Sequence, residues 1–134
     1  MISVGELQIA SRYISVDSYV RINQSVKPTY NKLPHPRNVV QSAGGVGEVI
    51  ASNAPNFAVG DGVEGMLCWQ THAVMHHNTF CRLDPTHAPV STALGVLGMP
   101  GRTAWFGLTE SGKPKAGEVV VVSGAAAALG LLVA

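Results

Sequence analysis

The stretch G-E-V-V-V-V-S-G-A-A-A-A-L-G-L-L-V-A, Gly117 to Ala134, decides how the rest of the chain is read. Val119 to Val122 are β-branched, contiguous and apolar, the pattern of a strand buried on both faces in a parallel sheet. Ser123 and Gly124 break the run. Ala125 to Ala134 are apolar or glycine, mostly good helix formers, and predict the first turns of a helix. Strand, small-residue turn and helix are how a dinucleotide-binding βαβ unit begins. No second strand follows, so the upstream chain is expected to be a domain that sits against a nucleotide-binding domain most of which is missing.

Working outward, the chain has 134 residues, enough for one ordinary domain with a modest core. It is 46% hydrophobic and only 13% charged, against about 25% charged in a usual soluble domain. Part of its surface is therefore expected to be covered. A formal net charge of +1 gives no electrostatic footprint for nucleic acid or an anionic membrane. The N-terminus lacks the pattern of a secretory signal, which predicts a cytoplasmic protein. The apolar tail is interrupted by Ser123, Gly124 and Gly130 and is short of the roughly 20 residues a membrane helix needs. Cys68 and Cys81 read as reduced thiols. Together with His72, His76 and His77 they show neither C-x-x-C nor H-E-x-x-H, so no metal site is expected.

Before the valine run the pattern is mainly β. Glu6 to Val16 predicts a strand, Asp17 a cap for a single helical turn over Ser18 to Arg21, and the proline-bearing Asn23 to Pro36 a loop. Val39 to Ser52 carries Gly44, Gly45 and Gly47 inside a strand-like run, which favours a barrel corner or bulge over a phosphate loop. Phe57 to Val63 predicts a glycine turn, Val63 to Trp69 and Thr71 to His76 two short strands, and Phe80 to Pro85 an exit from the sheet. From Pro89 the period changes. A helix start at Val90 to Leu94 is expected to break at Gly98 to Gly101, and a second helix to run from Arg102 to Ser111 and stop at Gly112.

Four motifs resemble one family. S-V-D-S-Y-V-R (Ser15 to Arg21), F-A-V-G-D-G-V (Phe57 to Val63), L-G-V-L-G-M-P-G-R-T-A-W-F-G-L (Leu94 to Leu108) and K-P-K-A-G-E-V-V-V-V-S-G-A-A (Lys113 to Ala126) resemble, in order, segments of zinc-independent medium-chain dehydrogenases/reductases of the prostaglandin, alkenal and curcumin reductase type. The resemblance implies a GroES-like partial β-barrel over residues 1–92. Over 93–134 it implies two short connecting helices and the first strand-turn-helix of a truncated Rossmann domain. It further implies NADP(H) without a metal, and hydride transfer to the C=C bond of an α,β-unsaturated ketone or aldehyde. The family's earlier residues, including a first strand, and most of its nucleotide-binding domain have no counterpart here. Ser18 replaces the family's proline, and Ala125 to Gly130 replace its A-A-G-A-V-G turn.

Carried over position by position, the resemblance implies Tyr19 as a substrate-binding phenol. It implies Met99 and Thr103 beside the nicotinamide, and Ala126, Ala127, Ala128 and Leu129 in the phosphate turn. Each has a structural alternative. Tyr19 would pack a loop on the barrel, Met99 would fill core between helices, and Thr103 would satisfy a carbonyl in its own helix. Ala127 puts a Cβ where the fingerprint's middle glycine lets backbone approach a pyrophosphate. Trp69 and Trp105 read as core or domain-interface aromatics. No nucleophile with an adjacent base is visible, and none is needed where the cofactor carries the chemistry. Two functions follow: a double-bond reductase represented by an N-terminal part that is inactive alone, or a non-catalytic β-barrel binding or assembly module. In the second, the apolar tail needs a partner, either another copy in a homo-oligomer or the missing C-terminal half.

Overall fold

The computed structural model of the chain describes residues 2–24 and 39–134. The chain divides into two compact units, Met1–Val90 and Ser91–Ala134. The first is an open antiparallel sheet of five strands, β1 (Glu6–Ile14), β2 (Gly45–Ser52), β3 (Gly62–Gly65), β4 (His72–His76) and β5 (Phe80–Leu83), in the order β4-β1-β2-β3-β5. The first helix, α1 (Ser18–Asn23), follows β1. The mainly β, GroES-like architecture expected from the sequence is the one observed, with β4 and β5 as the two edges of a sheet that does not close among the described residues.

One face of this sheet holds the core. Leu7, Ile9, Val49, Val63, Leu67, Ala73 and Phe80 form a buried cluster, with Phe57 and Met75 packed on it. In β1 the burial alternates at Leu7 and Ile9, as a pleated strand with one buried face requires. The register between β1 and β2 slips twice, at Gln8/Ile9 opposite Val49 to Ala51 and at Ser11/Tyr13 beside the glycine corner. Gly45 and Gly47 are buried strand residues and not part of a phosphate loop. At Gly47 a Cβ would press into the Ile9 side chain and lie 2.7 Å from the Ala10 carbonyl oxygen, so only glycine lets β2 come this close to β1.

Four expectations in this unit are corrected. The first strand ends at Ile14, two residues early, because Ser15 turns its N–H to the Gly44 carbonyl at 2.8 Å. Asp17 stands at the N-cap of α1 but its carboxylate takes the Ser15 hydroxyl and not a helix N–H. The helix then runs on to Asn23, where the sequence suggested one turn and the start of a loop. The rest of the predicted loop, beyond Gln24, lies outside the described residues. Phe80 to Leu83 does not leave the sheet but pairs with β3 from Gly65↔Phe80 to Gly62↔Leu83. The exit comes one residue later, in a turn held by Asp84.

In that turn Thr86 donates both its hydroxyl, at 2.6 Å, and its N–H, at 2.9 Å, to Asp84 Oδ1. These bonds, the hydroxyl first, hold the Asp84 carboxyl below its usual value. A carboxylate whose folded pKa is depressed stabilises the fold above its unfolded pKa, and that contribution fades as pH falls through the folded value. Thr86→Val is therefore expected to raise the Asp84 pKa in an NMR titration. An unchanged value would mean that the hydroxyl bond is not formed in solution.

In the second unit, α2 (Met99–Phe106) continues as a π-helical stretch, Gly107–Gly112, and α3 (Gly130–Val133) packs on α2. The helix starts at Met99 and not at Arg102, since Pro100 falls in its first turn, where no N–H is needed. The stop at Gly112 is observed, with Lys113 as the left-handed cap at φ +47°. Val90–Leu94 is a 3₁₀ turn. The valine run departs most from expectation. Val119 and Val121 are each 90% exposed and no strand pairs with them among the described residues. The helix expected from Ala125 is delayed to Gly130 by a turn at Gly124, φ +62°.

Candidate functional site

In the sheet unit, three backbone segments meet beside α1. Ser15 is the hub. Its N–H bonds Gly44, its carbonyl accepts the Trp69 indole N–H at 3.2 Å, and its hydroxyl bonds Asp17. The segment after β3 turns sharply because Cys68 adopts φ +64°, a left-handed conformation that a non-glycine residue rarely takes. It is tied to the segment before β2 by Cys68 N–H on Ala43 O, at 2.9 Å, and Trp69 N–H on Gln41 O, at 2.8 Å. Leu67, fully buried, anchors this segment in the core. Gln24, at the end of α1, donates to the Gln41 side chain at 3.1 Å.

Tyr19 stands half-buried on the first turn of α1, and its hydroxyl oxygen accepts the Gly44 N–H at 3.2 Å. Among the described residues the phenolic proton has no protein acceptor, so the hydroxyl retains a donor for a ligand. A carbonyl oxygen is the group such a donor suits.

In the helical unit, Met99 opens α2 and is half exposed. Thr103, one turn on, donates its hydroxyl to the Met99 carbonyl at 2.8 Å, the local bond the sequence offered as its structural alternative. Its lone pairs stay open to a donor. Ala126, Ala127, Ala128 and Leu129 are all exposed in the turn before α3. The Ala127 N–H is committed to the Gly124 carbonyl at 2.8 Å, while those of Ala126, Ala128 and Leu129 bond no protein acceptor among the described residues. Gly130 is buried because a Cβ there would fall on the Gly124 carbonyl. Met99 and Thr103 thus share one hydrogen bond, the four turn residues are contiguous, and Tyr19 belongs to the other unit.

Sequence reasoning missed the part played by Trp69. It is 43% exposed and hydrogen-bonded to the β1–α1 corner, and Trp105 is 67% exposed, so of the core and domain-interface readings the core one fails for both. No sequence signal announces a left-handed cysteine, so the direction in which Trp69 leaves the chain was not readable. Among the described residues no group of three or more His, Cys, Asp or Glu is placed to hold a metal ion, and no helix is long and apolar enough to cross a membrane. His76 and His77 lie ring to ring at 4.4 Å, and His77 Nδ1 bonds the Gly5 carbonyl at 3.0 Å.

Residues 1–83 match the family described as the N-terminal domain of oxidoreductase. The NADPH-dependent curcumin reductase of Escherichia coli is 36% identical over 96% of this chain and 37% of its own length. The NADP(+)-dependent 2-alkenal reductase of Nicotiana tabacum is 34% identical over 96% of this chain and 38% of its own. The crystal structure of CurA from Vibrio vulnificus in complex with NADPH superposes with a TM-score of 0.88 at 37% identity, covering 98% of this chain and 39% of that one. The chain thus spans somewhat over a third of the length of these relatives. It belongs to the zinc-independent medium-chain dehydrogenase/reductase family, and it corresponds to the N-terminal part of that fold.

Proposed function

We propose that this chain is the N-terminal part of a cytoplasmic NADPH-dependent reductase of the C=C bond in α,β-unsaturated ketones and aldehydes, and that it does not turn over alone. Its likeness over 96% of its length to chains named as curcumin and 2-alkenal reductases carries the reading. In such a reaction a hydride adds to the β-carbon, the π electrons move onto the carbonyl oxygen as an enolate, and protonation at the α-carbon gives the saturated product. NADPH, when bound, supplies the hydride. The Tyr19 O–H donates to the carbonyl oxygen, a bond that strengthens as negative charge develops there.

Met99 and Thr103 flank the nicotinamide in this reading, with the Thr103 oxygen available to an amide N–H. The exposed turn suits a pyrophosphate through the unpaired N–H groups of Ala126, Ala128 and Leu129. The Ala127 methyl, at the place of the fingerprint glycine, holds the anion farther out and weakens that binding. These residues supply one side of a cofactor site and leave the rest to a nucleotide-binding domain.

The test uses the full chain with 3-nonen-2-one and NADPH. Absorbance at 340 nm is expected to stay constant, while the enone shifts the Tyr19 ring resonances and Tyr19→Phe weakens its binding about tenfold, the worth of one hydrogen bond to a buried-side donor. NADPH consumption by the pure chain would refute the claim that it is inactive alone. Enone binding indifferent to Tyr19→Phe would remove the tyrosine from the substrate site. The 90% exposure of Val119 and Val121 favours a second reading, a non-catalytic assembly module. That reading requires concentration-dependent association in sedimentation and no affinity for NADPH.

A further inference from the structure

We infer that Trp69 is a positioning residue for Tyr19, acting through the Ser15 and Gly44 backbone. The inference rests on the reading of Tyr19 as the substrate-binding phenol only for its functional consequence; the coupling itself stands on geometry. Trp69 Nε1–H bonds the Ser15 carbonyl, the Ser15 N–H bonds the Gly44 carbonyl, and the Gly44 N–H bonds the Tyr19 hydroxyl oxygen. The indole is thus joined to the phenol by three hydrogen bonds linked through the backbone of Ser15 and of Gly44.

The chain bridges three segments with no covalent neighbour in common. Trp69 follows β3, Ser15 follows β1, and Gly44 precedes β2. Trp69 is also held by its own N–H on the Gln41 carbonyl, and the far end of α1 by the buried Val20 and by Gln24 on the Gln41 side chain. Without the indole bond the Ser15 carbonyl loses this partner, and the corner from Ser15 to Ser18 that aims α1 can rotate. Because α1 is only six residues long and buries one side chain, Val20, its first turn, which carries Tyr19, takes its direction from that corner. The phenol then leaves the Gly44 N–H, and its proton no longer points in one direction.

The turn at Cys68 makes the arrangement specific. Its left-handed backbone sends Trp69 back toward β1. Glycine tolerates that backbone and a β-branched residue does not. Cys68→Gly should therefore keep the indole in place and Cys68→Val should displace it without touching Trp69.

The experiment reads amide and indole hydrogen exchange in the full chain by NMR. The Trp69 indole N–H is expected to be protected at least about tenfold relative to that of Trp105, which has no hydrogen-bond partner among the described residues. Trp69→Phe keeps a ring and removes the donor. It is expected to lower protection of the Gly44 amide about tenfold and to shift the Tyr19 ring resonances, while the core amides of Val49 and Val63 stay as in the parent chain. Cys68→Val should reproduce the loss and Cys68→Gly should not. Selective loss at Gly44 separates positioning from general destabilisation, which would lower all three amides together.

A Gly44 amide and Tyr19 ring unmoved in Trp69→Phe would overturn the inference, as would a uniform loss across the core. Enone titration separates it from the functional reading. If Trp69→Phe moves Gly44 and Tyr19 while Tyr19→Phe leaves enone affinity unchanged, the positioning holds and the assignment of Tyr19 to substrate fails.

Discussion

Leu67→Ala is expected to cost about 3–5 kcal/mol. Leu67 is fully buried although it lies outside any strand, one residue beyond Met66 and just before the left-handed Cys68. Its side chain covers the glycine corner, reaching within about 3 Å of where Cβ atoms would stand on Gly45 and Gly47. Removing it empties the space over two residues that have no side chains to collapse into it, so the cavity relaxes poorly and the cost falls at the high end. A small sheet domain has roughly 5–10 kcal/mol in all, so most of its stability goes. The measurement is urea denaturation followed by Trp69 emission in a Trp105→Phe background. A loss under about 1 kcal/mol would show that the corner closes over the gap.

Gly101→Ala should invert the ordinary rule for helices. Alanine in place of glycine inside a helix normally gains about 1 kcal/mol. In α2 a Cβ at position 101 would fall on the Val96 carbonyl oxygen, which is backbone and has no rotamer to change. Expected is a loss of about 2–3 kcal/mol, as for other overpacked sites. Gly107, six residues on, is the internal control, for a Cβ there meets nothing within 4 Å. Gly107→Ala is expected to be neutral or stabilising by up to about 1 kcal/mol. Trp105 emission in a Trp69→Phe background reads both. Equal effects at the two positions would mean that Gly101 is not packed against Val96.

This contrast also shows what the sequence made legible. The segment L-G-V-L-G-M-P-G-R-T-A-W-F-G-L carried the family resemblance, and the structure supplies a reason for part of it. Gly98 and Gly101 lie against the carbonyls of Ala93 and Val96, and Pro100 sits in the first turn of α2. A one-dimensional reading takes Gly-Met-Pro-Gly as a helix breaker, because it cannot see that the glycines answer to neighbours across a turn.

The same limit explains the valine run and β5. Val119 to Val122 has the composition of a central strand, but a strand is a property of a pair, and no partner lies among the described residues. Phe80-Cys81-Arg82-Leu83 reads as an exit from the sheet, yet it finds β3 beside it. Where the signal was local it was readable: the alternation of β1, the glycine corner, the Phe57 to Val63 turn and the stop at Gly112. In the candidate site, the motif resemblance singles out Tyr19. Its ties to Gly44, Ser15 and Trp69 were not legible, because they join residues up to 54 positions apart.

The strand order carries a kinetic consequence. β1 pairs with β2 on one side and β4 on the other, and β4 has no other strand partner among the described residues. Its register, Glu6↔His76 through Ala10↔His72, closes loops of more than sixty residues. Closing loops that long before any contact repays the entropy slows folding. On the ribosome β1 emerges before both its partners, gains β2 once residues 45–52 are out, and stays open along its other edge until β4 follows. A strand made before both of its partners is thus completed only when the later one arrives, and through that interval it is an exposed edge available to any other chain.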